Sequence, residues 1–525
     1  MTQDNMTRVA TVLLAGSMLM LRVDAAHAVC DTPGSGGNWP VFQHDVTATG
    51  SQPDETTIAP GNVAKLEKKW GAALSGRVES EPLSDGGCVF IGTQSGWVYA
   101  FDVETGDKVW ETKLSSETNT LSIADGRVFV QTGSRITALA ESDGKQLWQR
   151  EFSSYGSSSS PLAAGGYVFF AMGQCGQFGS RPKPCKSYYA LLNPMDGAVV
   201  VDGHVVSEED AAQGMEAPSF WGRPSYDPED KNFYMGTSNY RSILPENPLG
   251  AALLKIDADP KRPSFGKIVG YFRPTPLNPG ANLPEYQWCA AKNTPVNLPP
   301  SSPGPLVFSM CQSDDDLTST AIPYRDSSGR KLLGITAPTG GKGVMRHFTF
   351  GYNNPKGEYS AVDPTTTPND AFGGTRLEAV WATATTGTRA AAAAYDGSKF
   401  YFQSGHSGEL IAANKDTGSV AWKVGPPTMN PGTGIFQQVT HANGVVYTLS
   451  SGVNTQPPSG NGLALLLAHD AESGAELLQR PIQPDVGAPT HATVAGGVTI
   501  ARNTIFVPVN AEPRSTGYLV AYRLP

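Results

Sequence analysis

Long amphipathic helical patterns are almost absent from this chain of 525 residues. Helix bundles are therefore poor candidates for its architecture, because they need apolar stripes sustained over several turns. Long membrane-spanning runs are missing as well. The mostly apolar run from Val9 to Leu21 is shorter than the roughly 20 residues a bilayer demands. No cluster of Lys and Arg is found, and the formal net charge is −9, so a nucleic-acid surface is not expected. No Cys-x-x-Cys-His occurs, which excludes a covalent c-type haem, and no cysteine spacing suits zinc. His44, His347, His406, His441 and His491 lack metal-ligand spacing. A serine nucleophile elbow is missing too. Gly341-Lys342 is the nearest approach to a phosphate-cradling loop, but Thr336 and Gly343 stand where that motif needs Gly and Ser or Thr.

What the chain has in quantity is Gly (58) and Pro (41), and a short phrase that recurs. Its clearest copy is Asp102-Val103-Glu104-Thr105-Gly106, followed by Trp110. The frame returns as Ala140, Gly144, Trp148; as Asn193, Gly197, Val201; as Asn414, Gly418, Trp422; and as Asp470, Gly474, Leu478. An Asp or Asn in a turn accepts backbone N–H bonds, and Gly reaches positive φ at little steric cost. Apolar segments such as Val98-Tyr99-Ala100-Phe101 precede the phrase, as strands do. Strand, tight turn and strand, repeated, cannot bury an aromatic as a lone hairpin. Sheets stacked around an axis can, which predicts a β-propeller.

Residues 1–28 read as a secretory signal, with Arg8 in the basic region and Ala26-His27-Ala28 as the small-x-small site. A secreted or periplasmic location is expected, with 29–525 forming one domain. Six cysteines follow, Cys30, Cys88, Cys175, Cys185, Cys289 and Cys311, an even number that suggests disulfides in an exported chain. Neighbour pairing would join Cys175 to Cys185 and Cys289 to Cys311, leaving Cys30 for Cys88. Six cysteines nonetheless allow about 15 connectivities.

Segments rich in Val, Ile, Phe and Tyr fall near 88–113, 127–152, 165–203, 226–272, 319–350, 394–425, 443–482 and 496–523. They predict an all-β, eight-bladed β-propeller of four-stranded antiparallel blades, with seven blades the main rival. Leu66 to Trp70 reads as a strand without a partner in its own blade, so the ring is expected to close by this N-terminal strand joining the last blade. The stretches 273–312 and 351–375, rich in Pro and Gly, read as long covering loops.

The turn phrase, Asn38-Trp39-Pro40-Val41-Phe42-Gln43-His44-Asp45, and Asn62 to Leu66 with Trp70 together resemble the pyrroloquinoline quinone (PQQ) dehydrogenase-like propellers. Within these the chain resembles the polyvinyl alcohol dehydrogenase branch, without its haem segment. The resemblance implies a site. Trp221, in Ser219-Phe220-Trp221-Gly222, would lie under the quinone ring, as an aromatic floor suits a planar cofactor. Asn239, in Gly236-Thr237-Ser238-Asn239, would ligate a hard cation through its carbonyl oxygen. Asp314, in Ser313-Asp314-Asp315-Asp316, would be the catalytic base and a cation ligand, and Asp316 a further ligand. Glu79, with Glu81 as the alternative, and Ser158 would touch the cofactor, as would Lys342. Each has a plainer reading: blade-packing Trp, turn Asn, solvated acidic turn, loop Ser, surface Lys.

Two departures stand out. Gln177 occupies the place of the family's Glu metal ligand, and Gly341-Lys342-Gly343 lacks the family's Lys-x-Gly spacer. The resemblance implies oxidation of an alcohol to a carbonyl with PQQ and Ca²⁺ or a lanthanide, and a separate electron acceptor such as a cytochrome or quinone. The rival readings are a non-catalytic propeller that binds a partner or polymer, and an oxidoreductase-like protein recruited to a biosynthetic pathway.

Overall fold

A computed structural model describes residues 30, 36–115, 118, 121–152, 159–173, 187–205, 218, 220, 222–237, 249, 252–272, 320–338, 357–363, 378–385, 392–403, 409–425, 438–450, 464–487, 492–494, 496–511 and 516–525. The described strands form eight sheets with four-stranded antiparallel bodies. Seven of these take four strands that follow one another in the chain, across residues 83–113, 121–151, 162–204, 225–272, 322–385, 394–424 and 440–481; they are sheets 1 to 7. Sheet 8 is composite. Its outermost strand, Glu67–Ser75, pairs antiparallel with Thr516–Arg523, and the sheet continues through Thr504–Ala511 to Ala492–Val494 and Thr499–Ala501.

Burial grades outward within each sheet. Cys88–Gly92 and Val445–Ser450, second in their sheets, are buried at every residue, so both faces are walled by neighbours and the sequence is mostly apolar rather than alternating. Gln146–Glu151, outermost in sheet 2, is almost wholly exposed and polar. The innermost strands sit side by side: Leu83–Asp85 lies between Leu121–Ala124 of sheet 2 and Thr499–Ala501 of sheet 8. Sheets stacked this way about an axis make a β-propeller.

The recurring phrase is a docking device between sheets. Gly144 has φ +68°, and a Cβ there would lie 2.5 Å from the Trp110 ring of the preceding sheet. Trp110 Nε1 donates to Glu141 O in the same turn at 2.8 Å. The arrangement repeats with Trp148 on the Gly197 turn, Trp381 on the Gly418 turn and Trp422 on the Gly474 turn. Trp70 of sheet 8 lies on Gly106 of sheet 1 and donates to Val103 O at 2.9 Å. The Asx residue, the Gly and the aromatic are thus three parts of one contact: the first shapes the turn, the second leaves room, and the third comes from the sheet before. In sheet 3, Val201 fills the aromatic's place and lies against Gly266.

One expectation is corrected. The stretch 351–375 is not all loop: Gly357–Asp363 is a strand, paired with Lys331–Pro338 and Glu378–Thr385. The alternation in Glu358-Tyr359-Ser360-Ala361-Val362 was obscured by Pro, Gly and Thr on both sides. Sheet 5 accordingly runs well beyond 350. Cys30 is joined to Cys88 by a disulfide; the other four cysteines lie outside the described residues, as does 273–312.

Candidate functional site

Each of the first seven sheets begins on its innermost strand and steps outward, so the residues just ahead of those strands gather at one end of the axis. In sheet 1 this stretch is Val78 to Pro82. Asn510 of sheet 8 fixes it, accepting from Val78 N and donating to Val78 O, both at 2.8 Å. Thr499 donates its hydroxyl to Pro82 O. Ser159 and Ser160 precede the inner strand of sheet 3, Arg223 that of sheet 4 and Gln438 that of sheet 7; all four are buried.

The axis is stopped at its other end by the N-terminal segment. Residues 36–52 cross the inner strands and bond to six sheets through their own carbonyls: Ser84 N to Trp39 O (2.9 Å), Ile123 N to Pro40 O (2.8 Å), Tyr226 N to Val46 O (2.7 Å), Tyr395 N to Thr49 O (2.7 Å), His441 N to Gly50 O (2.8 Å) and Arg502 N to Gly36 O (3.0 Å). Ser51–Gln52 adds a short parallel strand to sheet 7. Gln43 and His44 take left-handed φ values of 58° and 76°. That turn is held by Asp45, which accepts from Thr47 N at 2.8 Å. Burial pushes the Asp45 carboxyl up, but bonds from His44, Thr47 and Thr49 outweigh it and leave it below its ordinary value. The phrase Asn38 to Asp45 is therefore the hub of the fold, which explains its place in the sequence.

Glu81 joins this plug to the layer above it. It is 1% exposed, accepts from Trp39 Nε1, and accepts from Gln43 N at 3.2 Å. Burial raises its pKa to about 8 against those bonds and the attraction of Arg223. Arg223 is 3% exposed. It donates from Nη1 to Ser160 Oγ and lies 4.6 Å from the ring centroid of Phe42 in the plug. Glu79 is half-buried, and Arg77 reaches it at 3.2 Å. Of the two acidic residues in this stretch, Glu81 faces the plug and Glu79 remains the more open.

Trp221, Ser158, Lys342, Asn239, Gln177, Asp314 and Asp316 lie outside the described residues. Trp221 and Ser158 each stand two positions before a described residue of the axial layer, Arg223 and Ser160. Among the described residues no group of three or more His, Cys, Asp or Glu could hold a metal ion. The two guanidiniums here, Arg77 on Glu79 and Arg223 on Ser160, suit an anionic group such as a carboxylate better than a cation. Arg223, Gln43 and Gln438 were missed in the sequence. The signal for Arg223 was present: a lone cation directly after Ser219-Phe220-Trp221-Gly222 and just ahead of a buried strand.

A cavity of about 1050 Å³ opens beside the plug, lined by Asn38, His44, Asp45, Asp85, Asp125 and Glu141 among others. It borders the turns that follow the inner strands of sheets 1 and 2, away from the Glu79 layer.

A family profile described as outer membrane protein assembly factor BamB matches residues 54–263. No curated protein sequence matches the chain. Among solved structures, quinohemoprotein alcohol dehydrogenase from Comamonas testosteroni is similar at 15% identity and TM-score 0.63, over 96% of this chain and 84% of that one. A europium-containing methanol dehydrogenase is similar at 14% identity and TM-score 0.59, over 93% of this chain and 98% of the other. BamB from Moraxella catarrhalis is similar at 12% identity and TM-score 0.52, over 87% and 99%. At such identities the likeness speaks for fold. Sheet architecture and these likenesses agree on the fold: the chain is similar to the β-propellers of PQQ-type alcohol dehydrogenases and of BamB.

Proposed function

We propose that this propeller is a quinoprotein-type oxidoreductase that oxidises an alcohol to a carbonyl at the axial end marked by Glu79, Ser160 and Arg223. The observation that carries the reading is the gathering of these three, from sheets 1, 3 and 4, in one layer. Two of them adjoin, in sequence, stretches singled out for cofactor contact. The eight sheets and the pairing of Glu67–Ser75 with Thr516–Arg523 support an eight-bladed ring closed by the N-terminal strand. With the plug across one end, substrate has one way in, from the opposite face.

In this reading Trp221 is the floor of the site, with Glu79, Ser158 and Lys342 around the cofactor. Asn239, Gln177, Asp314 and Asp316 would hold Ca²⁺ or a lanthanide, a hard ion that takes oxygen ligands. PQQ, when bound, supplies the two-electron acceptor. Asp314 takes the proton of the substrate hydroxyl, which requires hydrogen-bond reach. Gln177, being neutral, lowers the charge of the ligand set and should weaken cation binding. Electrons leave to a separate acceptor, and the location is secreted or periplasmic.

The second reading is a non-catalytic propeller. It is favoured by the BamB profile over residues 54–263 and by Gln177. Titration with PQQ and Ca²⁺, followed by tryptophan fluorescence and dye-coupled alcohol oxidation, separates the two. Binding with turnover is expected, whereas no binding at micromolar PQQ, with or without lanthanide, leaves the scaffold.

A further inference from the structure

We propose that the closed end of the axis is a water site: the side-chain amides of Gln43 and Gln438 hold ordered water against Glu81, and through that water Glu81 exchanges its proton while the plug stays shut. The inference goes beyond the quinoprotein reading and does not rest on it, since the groups it uses lie where the plug meets the layer.

Two buried amides carry it. Gln43, in the plug, is fully buried, and Gln438, just ahead of the inner strand of sheet 7, is 2% exposed. Neither Nε2 nor Oε1 of either residue has a hydrogen-bond partner among the described residues. Buried polar groups in folded proteins are bonded, to protein or to water. Both amides stand beside one acid. Gln43 N donates to Glu81 Oε2 at 3.2 Å. The Gln438 side chain is close enough to lower the Glu81 value, yet its own amide atoms stay unmet. Glycines make way for the two side chains. A Cβ at Gly50 would collide with Gln43 Oε1 and lie 3.1 Å from Val439 O and 3.2 Å from Ala393 O, and one at Gly497 would collide with Gln438 Oε1. Packing alone would be served better by Met or Leu. Several unmet polar groups around one buried acid are the surroundings in which internal water is kept.

The amides also suit an acid that changes charge. Glu81 accepts from Trp39 Nε1 on one oxygen and from Gln43 N on the other. Burial raises it to about 8 against those bonds and the attraction of Arg223, so at neutral pH it holds a proton that itself needs an acceptor. Gln43 Oε1 and Gln438 Oε1 are open acceptors on either side. When the proton leaves, the Nε2 groups are open donors for the carboxylate. A primary amide serves both states, and water between the groups can turn to suit each. The other groups facing Glu81 are few. Sheet 4 brings the charge of Arg223, and sheet 8 brings Gly496 to its backbone. In the plug, His44 stands against the Trp39 ring, 5.0 Å between centroids. In sheet 1, Glu79 is held by Arg77.

The test is a high-resolution crystal structure of the purified full chain, together with infrared spectra of its protonated carboxyls in H₂O and D₂O. Ordered water bonded to the Gln43 or Gln438 amide and to Glu81 is the expected density. The carboxyl band that E81Q deletes should shift on mixing with D₂O at least about tenfold faster than the buried strand amides exchange. Q43M and Q438M keep the size and remove the water's partners. Each should lower the urea midpoint and tighten Glu81's hold on its proton by about tenfold, because the carboxylate loses solvation. Dry, unmet amides predict the opposite sign in urea, since removing them relieves the fold. Should Q43M fail to fold, Q438M, which lies outside the plug, decides. Density in which Gln43 Nε2 donates directly to the carbonyls of Val439 and Ala393, with no water, overturns the inference. So does a Glu81 band that exchanges no faster than buried amides, the lack of any band that E81Q deletes, or a Q438M that raises the urea midpoint. None of these outcomes touches the quinoprotein reading, which the PQQ titration tests separately.

Discussion

Gly144→Ala and Gly126→Ala form a matched pair that tests the docking device. The two glycines have nearly the same backbone, φ +68° and +70°, but a Cβ at Gly126 meets nothing within 4 Å. At Gly144 it would lie 2.5 Å from Trp110 and 2.7 Å from Thr112 Oγ1. Alanine in left-handed conformation costs about 1 kcal/mol, and Gly126→Ala should cost little more. Gly144→Ala must also move the Trp110 indole, which is 7% exposed. Overpacking of that kind costs roughly 1–3 kcal/mol, and losing the indole bond to Glu141 O adds about 1 kcal/mol. The expected loss is therefore about 3–5 kcal/mol against about 1 kcal/mol. Urea unfolding followed by tryptophan fluorescence reads the difference as a shift in midpoint. Equal shifts for the two variants would refute the docking account and reduce the phrase to a turn signal.

Three further outcomes follow from the hub and the site. Replacing Cys30 and Cys88 by Ser opens a loop with a sequence separation of 58, which loop entropy alone puts at about 4 kcal/mol; the wild type should lose a similar amount in reductant, and the double variant nothing more. Glu81 has a folded value of about 8 against 4.5 for the ordinary group. Between those pH values the folded chain holds a proton that the unfolded chain has released. Relative to E81Q, wild-type stability should therefore fall as pH rises across that window; parallel melting curves for the two proteins from pH 4 to 9 would contradict this. Asp314→Asn should abolish dye-coupled turnover yet leave PQQ affinity within about threefold, since it removes a base while keeping an oxygen donor; loss of binding with unchanged specific turnover would show the role to be wrong.

Much of the fold was legible because its signals are local. A strand, a turn, a Gly and an apolar residue recur at fixed spacing, and five of the eight sheets follow that rhythm. The third strand of sheet 5 was hidden, since Gly357–Asp363 is flanked by turn-forming residues and its phrase is degenerate. The hub was visible only as a motif. That Trp39 reaches Glu81, 42 residues on, is a matter of ring geometry that no local pattern encodes. The same holds for the site. Which of Glu79 and Glu81 is buried could not be read from their stretch: it needed the plug, which buries Glu81 and leaves Glu79 half-open. Arg223 was overlooked because a single cation ahead of a strand looks like any surface residue until its neighbours on sheets 1 and 3 are known.

The quinoprotein reading meets its most direct test in equilibrium binding of PQQ to the purified chain with Ca²⁺ or a lanthanide, followed by tryptophan quenching. Saturable quenching with a dissociation constant at or below the micromolar range, strengthened by the cation, is the predicted result. Fluorescence unchanged by PQQ under every cation, in a protein whose melting curve shows it folded, would contradict the reading and leave a propeller that serves as a scaffold.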